Sequence, residues 1–227
     1  PPPPPPPPPP LFPPRRRHPR VLHRSRGLGD VYKRQPEIWI NVAELTGIED
    51  LRLTTRDIPD YDELMTHRLK MLDKHNLQLS IIQSVINDMG PLPGAREFVD
   101  WLRERYQLVI LSDTFYEFGM PLMRQLGSPT LFCHNLDIKD DRIANYRLRQ
   151  PDQKREAVKA FHSLNFKVIA AGDSYNDTSM LAEADAGILF SPPQNVIDEF
   201  PQYPVTNNYD ELRQAFINAE ERIDGSC

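Results

Sequence analysis

Cysteine is scarce in this chain: Cys133 and Cys227 are the only two among its 227 residues. Such a chain cannot rely on the disulfide network of small secreted domains, so we expect a reducing cytoplasm, with Cys133 as a small buried apolar side chain. No apolar run approaches the roughly 20 residues that span a bilayer. The N-terminus also lacks the continuous apolar stretch of a signal peptide. These absences favour a cytoplasmic protein that has no membrane partner.

Acidic residues outnumber basic residues over most of the chain. Residues 1–35 hold eight basic residues and one acidic residue, so their net charge is +7, and the overall −5 leaves −12 for residues 36–227. A body this acidic is poorly suited to the phosphate backbone of DNA or RNA, which is bound through Lys and Arg. We therefore expect no nucleic-acid partner. The sequence leaves the oligomeric state open.

Residues 1–35 have the composition of an unfolded arm. Pro1–Pro10 is an unbroken proline run, which favours polyproline II, and an arginine-rich stretch follows it. Such arms can bind SH3-type grooves or nucleic acid, which would make the protein an interaction module. The run RGLGDVYKRQ at residues 26–35 instead resembles a translated library-adapter junction. We interpret residues 1–35 as non-native or disordered and expect them to contribute no strand to the fold.

Residues 36–90 have helical apolar spacing and no convincing strand. Apolar side chains recur at helical intervals in three stretches. Representative positions are Ile38, Val42, Leu64, Leu72, Ile81 and Val85. Ser80 and Gln83 match the capping box that begins a helix. We therefore predict a small helical cap over residues 36–90.

From residue 91 onward, short apolar runs alternate with helical patterns. The predicted strands are residues 108–111, 130–133, 168–171 and 186–190, and residues 136–149 alternate as in a small hairpin. The last helix is expected to open at Asn208, with Glu211 three residues on. Such alternation is typical of a parallel sheet covered by helices on both faces. The predicted fold is α/β: a doubly wound, Rossmann-type parallel sheet in residues 91–227, with the helical cap before it.

A polar cluster follows the strand at residues 168–171, at the end where ligands bind in doubly wound sheets. It reads Gly172-Asp173-Ser174-Tyr175-Asn176-Asp177. Gly172 allows a tight turn, and Asp173 supplies a hard oxygen ligand that suits Mg²⁺. Asp177 is positioned either to hold a metal-bound water or to orient a lysine. Alternatively, both carboxylates only cap the next helix.

A second cluster follows the strand at residues 108–111, where the chain continues Ser112-Asp113-Thr114. The Ser112 hydroxyl and nearby backbone N–H groups either hold a phosphate oxygen or form a simple turn. Lys154 opens a later helix, where it is either a solvated surface lysine or a fixed cation over a phosphoryl group. For either residue alone, the sequence does not distinguish a phosphate-binding role from the simpler structural interpretation.

Taken together, these clusters resemble motifs of a known family. A strand that ends in Ser112, then Lys154, then a strand that ends in G-D-x-x-N-D resembles motifs II, III and IV of the haloacid dehalogenase superfamily. From residue 36 onward the chain is more narrowly similar to bacterial phosphoserine phosphatases that also transfer the phosphoryl group to homoserine. The segments that carry this similarity are PEIW (36–39), TRDIPDYD (55–62), LSDTFYEF (111–118) and AGDSYNDT (171–178).

The resemblance implies an Mg²⁺-dependent phosphatase of serine biosynthesis, with phosphoserine as its small-molecule substrate and either water or homoserine as acceptor. Asp173 would bind Mg²⁺, and Lys154 and Asp177 would be the catalytic residues. Ser112 and Lys154 would also bind the phosphoryl group, and Asn176 would contact the substrate.

The resemblance also implies two recognition residues in the cap. Glu37 would meet the substrate's ammonium and Arg68 its carboxylate, and both charges suit these partners. Alternatively, Arg68 forms a surface ion pair with Asp62 or Glu63.

The family's motif I is missing. It consists of an acid, one residue and a second acid after an apolar strand, shortly before the position of Pro36; the first acid is the nucleophile that becomes an aspartyl-phosphate. Here Asp30 is the only acid in residues 1–35. We therefore expect the core to lack its first strand. The chain is then either a phosphatase by family or, as written, a catalytically inactive fragment.

Overall fold

The computed structural model describes residues 20–23, 38–53, 57–58 and 60–225. The strands in this part of the chain are β1 (Arg20–His23), β2 (Gln107–Phe115), β3 (Thr130–Lys139), β4 (Arg142–Arg147), β5 (Val168–Gly172), β6 (Ala186–Phe190) and β7 (Val205–Thr206). The α-helices are α1 (Ile38–Thr46), α2 (Tyr61–Lys74), α3 (Leu79–Met89), α4 (Ala95–Arg105), α5 (Tyr116–Gln125), α6 (Gln153–Ser163), α7 (Tyr175–Glu183), α8 (Gln194–Glu199) and α9 (Tyr209–Gly225). A 3₁₀-helix covers Glu49–Arg52.

The described strands form one sheet in the order β4-β3-β2-β1-β5-β6-β7. Every neighbouring pair is parallel except β3 and β4, which form an antiparallel hairpin. The β5 strand is buried along its whole length, which explains why its sequence is a continuous apolar run rather than an alternating one. The predicted doubly wound α/β sheet is confirmed.

The centre of the sheet differs from our prediction. Residues 20–23 pair in parallel with residues 107–110 of β2 and with residues 168–171 of β5. The expectation that residues 1–35 contribute no strand, and that the core lacks its first strand, is therefore wrong for these four residues. The physical reason is backbone hydrogen bonding. A gap between two buried parallel strands leaves rows of unpaired N–H and C=O groups, which an extended segment can satisfy whatever its side chains are.

Apolar clusters cover both faces of the sheet. In β2, Leu108 and Ile110 belong to the cluster with α4, α5 and α9, whereas Val109 and Leu111 belong to the cluster with α6, α7 and α8. Alternation along a strand sends successive side chains to opposite faces. Both layers of helices are thus anchored by the same strands, and this fixes the helix starts above the carboxyl edge of the sheet.

The helices α1, α2 and α3 form a separate apolar cluster, and the described part of residues 36–90 contains no strand. This cluster also includes Phe115 and Phe118 from the end of β2 and the start of α5, and Leu136 and Ile143 from the hairpin. The helical character of this segment is confirmed. Its division from the core at residues 90 and 91 stays a prediction.

The start of α3 corrects the predicted capping box. The helix begins at Leu79, and Ser80 does not cap it. Instead Asp141, in the β3–β4 turn, accepts hydrogen bonds from the Ser80 N–H (3.1 Å) and the Ser80 hydroxyl (2.5 Å), and its carbonyl accepts from the Leu79 N–H (2.7 Å). A residue 61 positions away therefore satisfies N–H groups that a helix start leaves unpaired.

The other predicted elements are present, with shifted ends. The strands β2 and β3 continue to Phe115 and Lys139, four and six residues beyond their predicted ends. The predicted hairpin is present and turns at Asp140 and Asp141, both of which have positive φ. Asn208 also acts as expected, because its side chain accepts the Glu211 N–H at 2.9 Å.

We predict that Asp141→Ala lowers the free energy of unfolding by about 1–2 kcal/mol relative to Asp140→Ala, because only the former removes the cap of α3. The control is matched, since both residues lie in the same turn with φ of 60° and 51° and pay a similar penalty for a Cβ there. Urea unfolding of the two variants measures the difference. Equal stabilities would show that the turn does not stabilise α3.

Candidate active site

Three predicted residues converge at the carboxyl edge of the sheet. Lys154, in the first turn of α6, donates to Asp177 Oδ1 at 3.1 Å. The Asp177 carboxylate accepts in turn from the backbone N–H of Asp173, at the tip of β5 (3.0 Å). Next to Lys154, the Gln153 side chain donates to the carbonyl of Ser112 (2.7 Å), which lies in β2 two residues after the last residue that pairs with β1. Hydrogen bonds thus link Lys154, through Asp177 and the neighbouring Gln153, to backbone groups of Asp173 and Ser112, and the roles of these residues stay predictions.

The Asp177 side chain is held in place by several hydrogen bonds. It is fully buried, and Oδ2 accepts from the Asp173 N–H, the Ser174 N–H and the Ser174 hydroxyl, so that Ser174 and Asp177 form a capping box at the start of α7. A Cβ on Gly172 would lie closer than 3 Å to three atoms of the Asp177 side chain. The capping interpretation is thus correct for Asp177, which also orients Lys154, whereas Asp173 is not the cap.

Lys154 is a buried cation between two carboxylates. Its side chain is 2% exposed, and its ammonium donates to both Asp177 and Asp113. The interpretation of Lys154 as a solvated surface residue is therefore wrong. Taking an ammonium out of water is costly unless anions and hydrogen bonds compensate, and here two carboxylates do so. The result is a lysine held in one place at the sheet edge.

A row of buried polar side chains lies behind Ser112. The Arg149 N–H donates to His134 Nδ1 (3.1 Å), and His134 Nε2 lies 3.4 Å from Gln153 Nε2. Gln153 is 6% exposed and donates to both the Ser112 carbonyl and Asp113 Oδ1 (3.3 Å). The Ser112 hydroxyl accepts the Thr114 N–H at 3.3 Å. These bonds hold Ser112 and Asp113 of β2 next to the start of α6.

A cavity of about 390 Å³ opens at this point, and its lining includes Asp113, His134, Asp152, Lys154 and Asn176. Asn176 is exposed, so its side chain is accessible from the cavity. A larger cavity, of about 490 Å³, lies elsewhere, where Lys167, Asp185 and Ala186 mark the amino ends of β5 and β6. Ligands of doubly wound sheets bind at the carboxyl ends of the strands, so the smaller cavity is the candidate active site.

Comparison with known proteins shows the family of this chain. The family model for haloacid dehalogenase-like hydrolases matches residues 24–185. The chain belongs to the haloacid dehalogenase-like hydrolases. A phosphoserine phosphatase of Pseudomonas syringae pv. tomato is 65% identical over 188 residues, which cover 82% of this chain and 79% of that protein. A phosphoserine phosphatase of Pseudomonas aeruginosa is 64% identical over 188 residues, covering 82% of this chain and 92% of the relative.

Solved structures share the haloacid dehalogenase fold. A phosphoserine phosphatase from T. onnurineus superposes with a TM-score of 0.63 at 24% identity, covering 89% of this chain and 96% of that chain. A phosphoserine phosphatase in its apo form gives a TM-score of 0.65 at 18% identity, covering 84% and 93%. At these identities the likeness concerns the fold alone. No helix in the described part of the chain is long and apolar enough to cross a membrane.

Asp173 fits the predicted Mg²⁺ site of a haloacid dehalogenase as one oxygen ligand. It directly follows β5, its side chain is buried, and its backbone N–H donates to Asp177 Oδ2 at 3.0 Å. Among the described residues, no group of three or more His, Cys, Asp or Glu side chains is arranged to hold a metal. Mg²⁺ commonly takes only one or two protein carboxylates and completes its shell with water and substrate phosphate oxygens. Its binding by Asp173 stays a prediction.

The structure describes one of the two predicted recognition residues of the cap, Arg68. Arg68 is 4% exposed, donates to the Leu53 carbonyl at 3.0 Å and lies over the Trp39 ring at 4.8 Å. It is therefore a buried residue, and the interpretation as a surface ion pair is wrong. Glu37 lies outside the described residues. The substrate roles of both residues stay predictions.

The family's nucleophile has no counterpart in the expected sequence window. The last residue of β1, His23, pairs with Ile110 and Ala171, which lie two residues before Ser112 and Asp173. Two residues beyond His23 the sequence has Ser25, and the first acid is Asp30. A motif of two acids separated by one residue is therefore absent between β1 and Pro36.

Three residues of this site were not assigned a role from the sequence: Asp113, His134 and Gln153. Asp113 directly follows Ser112, and His134 directly follows the predicted strand at residues 130–133. The rule that ligands meet strand ends could have indicated both residues. Nothing in the local sequence of Gln153 indicates its contacts, because its partners Ser112 and Asp113 lie 41 and 40 residues away.

We predict that His134 makes the free energy of unfolding depend on pH. Burial lowers the pKa of His134 below the ordinary 6.5, with Lys154 and Arg149 acting in the same direction and Asp113 opposing them. As the pH falls below 6.5, the unfolded chain takes up a proton that the folded His134 resists, so stability is lost between 6.5 and the lower folded pKa.

Urea unfolding at about pH 7.5 and pH 5.5 measures this loss. It should shrink in His134→Gln and persist in His75→Gln, which changes an exposed histidine. A loss in His134→Gln as large as that of the unmodified chain would contradict the prediction.

Proposed function

We propose that this protein is a phosphoserine phosphatase that acts at the carboxyl edge of its sheet with Mg²⁺, through an aspartyl-phosphate. The observation that carries the proposal is the buried Lys154, which Asp113 and Asp177 hold beside Ser112 and Asp173. A buried, immobilised ammonium is costly to maintain and is useful where a phosphoryl group must be bound. The names of the two Pseudomonas relatives support the same substrate.

In this proposal Lys154 and Ser112 bind the phosphoryl oxygens. The ammonium has three donors, and two of them are directed at Asp113 and Asp177, so one donor is left for a phosphoryl oxygen. The Ser112 oxygen accepts the Thr114 N–H, and its own hydrogen can be donated to a second phosphoryl oxygen. Asp177 keeps Lys154 oriented. Mg²⁺, held by Asp173, would neutralise phosphoryl charge when it is bound.

The rest of the substrate would be recognised by the cap and by α7. We assign the ammonium of phosphoserine to Glu37 and its carboxylate to Arg68. The planar fork of an arginine matches a carboxylate, and Trp39 and the Leu53 carbonyl limit the movement of this one. Asn176 would contact the substrate from the cavity. The acceptor would be water, or homoserine where the cap excludes water, and the pathway would be cytoplasmic serine biosynthesis.

A second candidate function follows from the sequence between β1 and Pro36. Without the pair of acids, the chain as written has no carboxylate for the bond-making step. We propose that this chain binds phosphoserine but does not turn it over. Lys154 and Ser112 would still bind the phosphoryl group, so the chain would bind the substrate without catalysing its hydrolysis.

We predict that phosphate release from phosphoserine with Mg²⁺ is at least about 10⁴-fold slower for the chain as written than for a chimera with a complete motif I, because both the nucleophile and the acid/base are missing. In the chimera, residues 1–35 are replaced by the matching N-terminal segment of the Pseudomonas aeruginosa relative. The control is the same chimera with Lys154→Met, which should lose turnover.

Comparable turnover in the two proteins would mean that Asp30 or another acid serves as the nucleophile. A chimera that folds but does not hydrolyse phosphoserine would contradict the proposed substrate.

A further inference from the structure

Ser112 lies in a part of β2 where the regular pairing with β3 is interrupted. The register between the two strands shifts between Leu111 and Phe115, so that residues 112–114 of β2 stand opposite a single residue of β3. Extra residues on one strand of a pair bend that strand and re-aim their side chains. The direction of the Ser112 hydroxyl therefore depends on the contacts that hold its backbone as well as on the ladder.

The Gln153 side chain supplies such a contact. It is 6% exposed, and its Nε2 donates to the Ser112 carbonyl at 2.7 Å and to Asp113 Oδ1 at 3.3 Å. Gln153 is the first residue of α6, and the next residue, Lys154, donates to the other carboxylate oxygen of Asp113. Two consecutive residues of α6 therefore hold two consecutive residues of β2.

The start of α6 is itself attached to α7. Asp152, which precedes α6, accepts from the Ser179 hydroxyl at 2.7 Å. Lys154 donates to Asp177 at 3.1 Å. Because Ser179 and Asp177 both lie in α7, these two bonds place the Lys154 ammonium relative to that helix. The Gln153 side chain then connects the same helix start to β2.

We propose that Gln153 is a positioning residue for phosphoryl binding, which acts through Ser112. Its amide holds the Ser112 backbone so that the hydroxyl and the Lys154 ammonium reach two oxygens of the same phosphoryl group. Without the amide, Ser112 shifts within the irregular part of β2 and its hydroxyl no longer meets the phosphoryl group. This inference rests on the proposed function, since it assumes that Lys154 and Ser112 bind a phosphoryl group.

The test is a double-mutant cycle, in which titration calorimetry measures the binding of phosphoserine to the full chain with Mg²⁺ present. The cycle comprises the unmodified chain, Gln153→Met, Ser112→Ala and the double variant. Methionine is about as long as glutamine but has no amide. The matched control is Gln194→Met, because Gln194 is likewise the first residue of a helix, α8, but is exposed and donates to Asp198 at 2.8 Å.

In the chain that retains Ser112, we expect Gln153→Met to weaken the binding of phosphoserine about tenfold. In Ser112→Ala the same substitution should weaken it less than about threefold, because the hydroxyl that Gln153 positions is already missing. Gln194→Met should change the affinity less than about twofold in both backgrounds. A merely structural role of Gln153 would instead weaken binding by the same factor in both.

Equal losses in the two backgrounds, or an unchanged affinity in Gln153→Met, would overturn the inference even though Ser112→Ala weakens binding. If the unmodified chain does not bind phosphoserine, or Ser112→Ala costs no affinity, the proposed function is contradicted and the inference falls with it. Circular dichroism checks the fold of each variant. Should Gln153→Met not fold, Gln153→Asn replaces it in the cycle, since this amide is one methylene shorter and does not reach the Ser112 carbonyl.

Discussion

The hydrogen-bonded ion pair between Lys154 and Asp177 links the elements on which the site depends. Lys154 lies in the first turn of α6, Asp177 lies in the first turn of α7, and the Asp177 carboxylate accepts from the backbone N–H of Asp173, directly after β5. Both side chains are essentially excluded from water. Removing one member of such a pair leaves an uncompensated buried charge, which costs about 3–5 kcal/mol. The arrangement therefore fixes the site geometry, and a loss of either residue would affect folding as well as ligand binding.

The strand β3 connects this site to the helical segment above it. His134, on β3, lies in the polar row behind Ser112, and the hairpin that follows holds the helices α2 and α3. Arg142 donates to the Asp73 carboxylate at 2.8 Å, and Tyr146 donates to Asp62. With the Asp141 cap of α3, these bonds join the hairpin to the helical cluster. The helical cluster and the proposed phosphoryl site thus both contact β3 and its hairpin.

The sequence predicts those features of the site that local rules control. A continuous apolar run that ends in a glycine and an aspartate is enough to place Asp173 at a strand tip, and the resemblance to a known family brings in Ser112 and Lys154. Asn208 and Glu211 predict the start of α9 because both partners lie within one turn.

Contacts between distant residues are where the predictions were incomplete or wrong. Ser80 has the right neighbours for a capping box, but Asp141 takes that place from 61 positions away. Lys154 donates to Asp113 from 41 positions away, and a contact over that separation leaves no local sequence pattern. The strand β1 was missed for a different reason, since backbone pairing between β2 and β5 does not require an apolar sequence.

The central claim is that Lys154 and Ser112 form a phosphoryl-binding site at the carboxyl edge of the sheet. A crystal of the chain soaked with tungstate, a phosphate analogue with a strong anomalous signal, tests it most directly. The account predicts an anomalous peak in the cavity with tungstate oxygens about 2.7–3.2 Å from Lys154 Nζ and Ser112 Oγ. Saturating tungstate that leaves this position empty, or that binds only elsewhere on the protein, would contradict the account.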